Sequence, residues 1–269
     1  MDVLELMREA ALAGRNAIRR GASPNKKIRV ERKADGSLLT RADGDSHKAV
    51  TACLRKHARH VPILSEEGET TGDLSRLNTG EWFVLDPLDG TTNFSRGIDL
   101  FSISLAYVVD GIPQAGLVLP VMEEHYFAAL RGRPAEMVSL YDGRIVPLCC
   151  TETKRSLKKS MLCIACNFDD PRSRRQWRKW VKTLGPPTCH RLRIVESAAL
   201  ELCWLAQGKV DAYLHPSNKP WDIAAGVLIA AQAGARLYGK AGTPWRLVEP
   251  GLLAAPPRLA KEILARNLM

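Results

Sequence analysis

The stretch Trp82-Phe83-Val84-Leu85-Asp86-Pro87-Leu88-Asp89-Gly90-Thr91-Thr92-Asn93-Phe94 constrains this chain more than any other. Its apolar run reads as a buried strand over 82–85. Asp86-Pro87 is expected to end that strand, because proline has no N–H for a sheet ladder and restricts the residue before it. Gly90-Thr91-Thr92 then reads as the entry to a helix. Two carboxylates at a strand end can hold a hard divalent cation through oxygen, and free N–H groups at a helix start suit a phosphate. Metal ligands and a phosphate cradle thus lie side by side, the pairing that metal-assisted phosphate ester hydrolysis needs. The same residue types also punctuate ordinary turns, so the rest of the chain has to decide.

A chain of 269 residues holds a large core, as one big domain or two lobes. No apolar run approaches the ~20 residues that span a bilayer. The start Met1-Asp2-Val3-Leu4-Glu5 lacks the apolar core of a secretion signal, so the cytoplasm is expected. Seven cysteines, an odd number without such a signal, argue against a disulfide framework. Cys163-Ile164-Ala165-Cys166 lies in an apolar stretch with no second pair at zinc spacing, so buried thiols are expected there rather than zinc.

The net charge of +10 suits phosphorylated substrates, nucleic acid or a merely basic surface. Basic residues concentrate at Lys154, Arg155, Lys158 and Lys159, again from Arg172 to Lys182, and at Arg191 and Arg193. Trp177 and Trp180 fall within the middle group. Bases with aromatics can bind single-stranded nucleic acid. Helical spacing offers a plainer account: Trp177, Trp180, Val181 and Leu184 share one face of a helix over 172–184, with a solvated basic face opposite.

Periodicity predicts a helix over 2–20, strand character from Lys26 to Glu31, a turn at 33–37, a helix over 45–60 and a short strand at 61–64. A polar surface excursion follows over 69–79. Strands at 98–109 and 112–119 join at Asp110-Gly111, and 123–130 and 136–141 continue the sheet. Composition shifts near 147–160. That places an N-terminal α+β lobe at 1–150, with most of the candidate metal ligands, and a C-terminal α/β lobe at 151–269. In the second lobe, strands are expected at 161–166, 191–195, 210–214 and 235–238, and helices at 172–184, 197–207 and 222–233. Without a regular βαβ count, a layered mixed sandwich fits better than a barrel.

Three further segments offer carboxylates. Leu64-Ser65-Glu66-Glu67-Gly68 ends a strand. Thr40-Arg41-Ala42-Asp43 starts the second helix. Pro220-Trp221-Asp222-Ile223-Ala224-Ala225-Gly226 starts another. Taken singly, Asp43 and Asp222 serve equally well as helix N-caps, and Glu66-Glu67 as surface charge.

In order, Asp35-Gly36-Ser37 with Thr40 and Asp43, then Ser65-Glu66-Glu67, then Trp82 through Phe94, then Pro220 through Gly226 resemble the inositol monophosphatase-like, lithium-sensitive magnesium phosphatases. The resemblance runs from the first helix to about Tyr238. It implies an α+β fold, a layered αβαβα sandwich of the inositol monophosphatase / sugar phosphatase type, and two to three Mg2+ ions as cofactors. Glu66, Asp86 and the Leu88 carbonyl would hold the first ion. Asp86 would bridge to a second, completed by Asp89 and Asp222, and a loosely held third would lean on Glu66. Thr91, paired with Asp43, would orient and help deprotonate the attacking water, so Asp43, Thr91 and Glu66 are the implied catalytic residues. Backbone N–H groups of Gly90 and Thr91 would hold phosphate oxygens.

Departures from the family pattern fall on the substrate side, at Glu196, Ser197 and His215. Where the inositol enzymes place a glutamate on the inositol hydroxyls, seven residues before the last metal aspartate, this chain has His215. The family's small residues before an Ala-Ala pair are here Glu196-Ser197. A carboxylate accepts from two hydroxyls, whereas a neutral imidazole accepts one hydrogen bond, donates or stacks; His215 also reads as a plain loop residue. The expected function is a magnesium-dependent phosphomonoesterase acting on a small phosphorylated metabolite, an inositol or sugar phosphate first. A 3′(2′),5′-bisphosphate nucleotidase or a histidinol-phosphate phosphatase is the alternative within the family. A catalytically idle anion- or nucleic-acid-binding protein is the alternative of another class. The resemblance implies a homodimer; neither a membrane nor nucleic acid is expected as a partner.

Overall fold

The computed structural model describes residues 2–21, 30–33, 38–68, 73–150 and 155–266. Residues 34–37 of the expected turn, the first part of the strand expected from Lys26, the start of the polar excursion (69–72) and Lys154 lie outside the described residues. Helix α1 (Val3–Gly21) buries Leu6, Met7, Ala10, Ala11 and Ile18, three to four apart, on one face. A short antiparallel ribbon, β1 (Val30–Arg32) with β2 (Leu38–Thr40), leads into α2 (Arg41–His57). This helix starts earlier than periodicity suggested. Thr40 is its N-cap, and the Thr40 backbone N–H donates back to Asp43 Oδ2 at 2.8 Å. Asp43 is therefore not the cap itself but the acid of a capping box.

The first sheet runs β3 (Ile63–Ser65), β4 (Glu81–Asp89), β5 (Ser102–Val109), β6 (Ile112–Pro120), β7 (His125–Leu130), β8 (Glu136–Ser139) and β9 (Ile145–Pro147) in sequence order. Only its β3–β4 pair is parallel. Asp110 and Gly111 turn between β5 and β6 with φ of 48° and 75°, the mirror-image turn that suits strand twist. Proline does not end β4, contrary to expectation. Asp86 faces Ser104 and Asp89 faces Ser102, so two β4 residues oppose one of β5. Pro87 falls inside that bulge, where no ladder donor is required. Next comes α3 (Thr91–Ser95), entered through Gly90 at φ 95°. A Cβ at Gly90 would lie 2.7 Å from the Leu100 carbonyl, so glycine is required twice over.

The second sheet contains β10 (Met161–Ile164), β11 (Arg191–Arg193), β12 (Ala212–His215), β13 (Arg236–Tyr238) and β14 (Leu252–Ala255), in the spatial order β11-β10-β12-β14-β13. Helices α4 (Pro171–Leu184), α5 (Ala198–Ala206), α6 (Pro220–Gln232) and α7 (Pro257–Leu264) complete the fold. Side-chain alternation along the strands sorts the core into layers. Phe83, Leu85 and Ile103 face α1 and α2. Val84, Ala106 and Val118 face α5 and α6. From the second sheet, Tyr213, Leu252 and Ala254 meet the other side of α5 and α6, while Leu214, Leu253 and Ala255 meet Trp180, Leu184 and Leu259 of α4 and α7. The result is a five-layer αβαβα sandwich. Sandwiched between two sheets, α5 and α6 are apolar on nearly every face, as burial on all sides demands.

On α4, Trp180 and Leu184 are buried, and Trp177 is half-buried with its Nε1 donating to the Ile164 carbonyl at 3.0 Å. Its tryptophans are thus engaged with the sheet rather than offered to solvent. β9, β14 and α7 were not anticipated from the sequence. None of the seven cysteines is in a disulfide. Among the described residues no helix is long and apolar enough to cross a membrane.

Candidate active site

A cleft of about 760 Å³ opens where β3, β4 and β12 end and α3, α5 and α6 begin. Every residue singled out from the sequence as a site residue lines it except Asp43. Asp86 and Asp89 come from the bulged end of β4 and are buried. Asp86 Oδ1 accepts the Leu88 N–H at 2.9 Å, which folds the chain back around the carboxylate. Asp89 reaches across to α5: its Oδ2 accepts from Ser197 Oγ (2.5 Å) and Ala199 N (3.1 Å), and its Oδ1 from Ala198 N (3.1 Å). That carboxylate satisfies two of the orphan amides at the start of α5 and ties that helix to the first sheet. Asp222 is the third residue of α6, after Pro220 and Trp221, and accepts the Lys219 N–H at 2.9 Å. Lys219, not Asp222, is the N-cap, so Asp222 repeats at α6 the arrangement of Asp43 at α2.

Asp43 stands one layer behind the cleft. Oδ2 accepts from the Thr40 N–H and hydroxyl, and Oδ1 from Thr91 Oγ1 at 2.9 Å. Thr91 Oγ1 also lies 3.0 Å from the Leu88 carbonyl. Both neighbours only accept, so the single hydroxyl proton is committed to them and the oxygen's lone pairs remain for the cleft. Glu66, just past β3, is half-buried and paired with Lys33 Nζ at 2.8 Å; Glu67 shares the same ammonium.

Burial pushes the Asp86 carboxyl well above the usual range, and Glu66, Asp89 and Asp222 push it further. Burial likewise raises Asp89 to about 6, partly offset by its donors, and Asp222 to about 8 with Glu66 contributing. Oxygen donors that repel one another at this density match what a hard divalent cation takes. Among the described residues no three acid, histidine or cysteine side chains close on one point, and Glu66 leans to Lys33 instead.

On the opposite wall Glu196 is exposed and holds φ 60°, a left-handed conformation uncommon outside glycine. Asn93 Nδ2 donates to the Val195 carbonyl at 2.7 Å and Ser197 is bound to Asp89, so this strained turn is clamped on both sides. His215 ends β12, is buried, and takes the Ser217 N–H on Nδ1 at 3.0 Å.

A family model described as "Inositol monophosphatase family" matches residues 2–268. The chain belongs to the inositol monophosphatase family. Its members are phosphoric monoester hydrolases, and so is this chain. It is 34% identical over 263 residues to the Nus factor SuhB of Pasteurella multocida, covering 97% of this chain and 94% of that one. It is also 34% identical to the inositol-1-monophosphatase SuhB of Mycobacterium tuberculosis over 255 residues, covering 94% and 81%. Among solved structures, extragenic suppressor protein suhB of Bartonella henselae superposes with TM-score 0.83 at 25% identity, covering 99% of this chain and 98% of that one. Mycobacterium tuberculosis SuhB gives 0.76 at 30% identity, covering 98% and 94%.

Within this inositol monophosphatase fold, three cleft residues, Lys33, Ser217 and Glu201, and one residue behind the cleft, Asn93, escaped sequence reasoning. Lys33 sits beside the expected metal ligand Glu66. Asn93 belongs to the central motif, but its clamp on the 195 loop is a non-local contact. Ser217 has a buried Oγ with no hydrogen-bond partner in the structure. Glu201, fully buried in α5 and raised to about 8 by burial, did leave a signal: one acid in an otherwise apolar helical run.

Proposed function

We propose that this chain is a magnesium-dependent phosphomonoesterase of small phosphorylated metabolites. The observation that carries the reading is the Thr91–Asp43 pair, seated beside Asp86 and Asp89 at the start of α3. Glu66, Asp86, Asp89, Asp222 and the Leu88 carbonyl would hold two to three magnesium ions. Bound there, the metal supplies an acidified water and charge neutralisation for the leaving alkoxide. Thr91, its proton committed to Asp43 or Leu88, offers a lone pair that accepts from and aims a water. Asp43, buried and fixed by three donors, is the base behind it. N–H groups at Gly90 and Thr91 face the phosphate from a helix start. Ser197 and the first amides of α5 keep Asp89 in place.

An inositol or sugar phosphate is the first substrate to try, because an inositol-1-monophosphatase stands among the relatives. The test is phosphate release from inositol 1-phosphate, fructose 1,6-bisphosphate, adenosine 3′,5′-bisphosphate and histidinol phosphate, with magnesium and with chelator. Turnover that needs magnesium and disappears in Asp89→Asn supports the reading. No turnover of any ester by folded, magnesium-loaded protein would sink it.

The exposed basic face of α4 favours the binding of an anionic partner as second reading. A polyanion would lie on the exposed bases Arg172, Arg175, Arg178 and Lys182 of α4. With both tryptophans of that helix turned to the sheet, such binding would be electrostatic and would fall steeply with salt. A titration of single-stranded RNA at two salt concentrations checks it.

A further inference from the structure

The alcohol side of the cleft holds polar atoms that the hydrolytic machinery does not use. The Ser217 backbone N–H points at His215 Nδ1 from 3.0 Å. A peptide N–H can only donate, so Nδ1 carries a lone pair, and a neutral ring then has its proton on Nε2. Burial holds the His215 pKa down at about 4, so the ring is neutral across the physiological range. No described residue accepts from Nε2, and the ring lines the cleft. Two residues on, Ser217 lines the same cleft, and its Oγ is buried without a partner. Buried polar atoms left unpartnered are rare in folded proteins, and Ser217 Oγ is one of them, on the same segment as His215, which lines the cleft. Lys219 brings a positive charge to the same wall. The acids on this side, Asp169 and Glu196, are both exposed, where solvent screens them.

We infer that His215 Nε2–H and the Ser217 hydroxyl form a donor subsite that selects phosphate esters whose alcohol portion carries a second anionic oxygen group. The inference rests on the phosphatase reading above and names the substrate class for that site. A glutamate at position 215 would take protons from two hydroxyls; this histidine, with Nδ1 occupied, takes none. A polyol hydroxyl can accept from Nε2–H, but its own proton must then find another acceptor. A carboxylate or phosphate oxygen only accepts, so it satisfies both donors at once and gains the charge-assisted strength of such bonds. The two chemistries share this recognition and are separated by experiment.

The experiment compares kcat/KM for 3-phosphoglycerate, fructose 1,6-bisphosphate and inositol 1-phosphate in the magnesium-loaded protein. At least one of the first two is expected to exceed inositol 1-phosphate by about tenfold or more, the scale of one hydrogen bond to a charged acceptor. Which of them leads tells carboxylate from phosphate. His215→Glu should invert the preference toward inositol 1-phosphate, and Ser217→Ala should shrink it. If His215→Glu does not fold, Ser217→Ala carries the test. Independently, long-range 1H–15N NMR of the wild-type imidazole should report an Nε2–H tautomer, and an Nδ1–H tautomer overturns the inference. Turnover with a preference for inositol 1-phosphate, or with ratios unmoved in both variants, overturns the donor subsite and leaves the phosphatase reading standing. Absence of turnover on every ester overturns the phosphatase reading itself, and the subsite with it.

Discussion

The two walls of the cleft are built differently. On the phosphate wall, Asp86, Asp89, Thr91 and Asp222 each have a partner from their own turn or from a neighbouring helix. On the alcohol wall, His215 Nε2 and Ser217 Oγ have none, and Glu196 holds a strained backbone. One wall is preorganised by the protein alone; the other is left for a ligand to complete. In the proposed reading, reaction type and substrate choice can therefore vary separately, with chemistry assigned to the first wall and recognition to the second.

The sharpest attempt to break this contrast is Asp89→Asn. Besides its place among the expected metal ligands, Asp89 accepts from the Ser197 hydroxyl and the first two amides of α5. An amide turns one acceptor oxygen into a donor facing donors. Activity should fall by about 10³-fold or more, the upper range for one electrostatic catalytic contact, and stability by roughly 1–3 kcal/mol. Phosphate release and urea unfolding measure both. A loss under tenfold would mean that the phosphate wall is not where the chemistry resides.

Thr91→Ala comes next. It removes the hydroxyl proposed to aim the water but leaves the Asp43 capping contacts to Thr40 intact. An activity loss of about 10²-fold is expected, with little change in melting temperature, because the capping box survives. If the variant melts much earlier while the specific activity of its folded fraction holds, Thr91 is a structural residue only.

The walls also differ in their response to pH. Asp222 and Glu201, each pushed up to about 8, are harder to ionise folded than unfolded. The fold then binds protons that the unfolded chain has lost above its ordinary carboxyl range, so stability falls as pH rises toward 8. His215 has the opposite sign. Its pKa drops from 6.5 to about 4 on folding, so its share of stability is lost as pH falls through that interval. With chelator present, the two raised carboxyls outweigh the single histidine. The melting temperature should therefore decline from about pH 5 to 8, most steeply above pH 6.5 where His215 no longer offsets them. Stability should fall by on the order of 1.4 kcal/mol per pH unit for each raised carboxyl. Magnesium should stabilise more at pH 8 than at pH 6, since only ionised carboxylates ligate it. Scanning calorimetry at three pH values settles it; a flat profile with chelator would show that the acids are not crowded as described.

The phosphate wall was legible in the sequence because each of its residues stands at a local boundary. Asp86, Asp89, Glu66 and Asp222 are acids where an apolar run ends or a helix begins, and such boundaries depend on near neighbours. The continuation of β4 through Pro87 was not legible, because a bulge depends on which β5 residues lie opposite. Strand β14 pairs Leu252 with His215, far back in the chain, and its Leu-Leu-Ala-Ala run has no alternation to announce it. On the alcohol wall, substitutions such as His215 were visible, but no pattern of residue types shows which hydroxyl will be left without a partner. Asp43 was paired with Thr91 through the resemblance, but its place behind the cleft was not legible, because a capping-box acid looks the same from sequence whether or not it faces the cleft.

Glu196 offers the smallest effect and the most direct test of whether the alcohol wall is strained for a purpose. An L-residue in the left-handed region costs roughly 1–2 kcal/mol, and glycine recovers this at about 0.5–1 kcal/mol of extra entropy in the unfolded chain. Glu196→Gly should therefore stabilise by ~0.5 kcal/mol, read as a higher urea midpoint with an unchanged slope. Glu196→Ala keeps the strain and should give no gain. If the carboxylate contacts substrate, kcat/KM should fall in both variants while only the glycine is more stable, separating backbone strain from side-chain function. Added stability with kcat/KM unchanged in both would make the left-handed turn a mere consequence of the Asn93 and Asp89 clamps, and would confine substrate selection to His215 and Ser217.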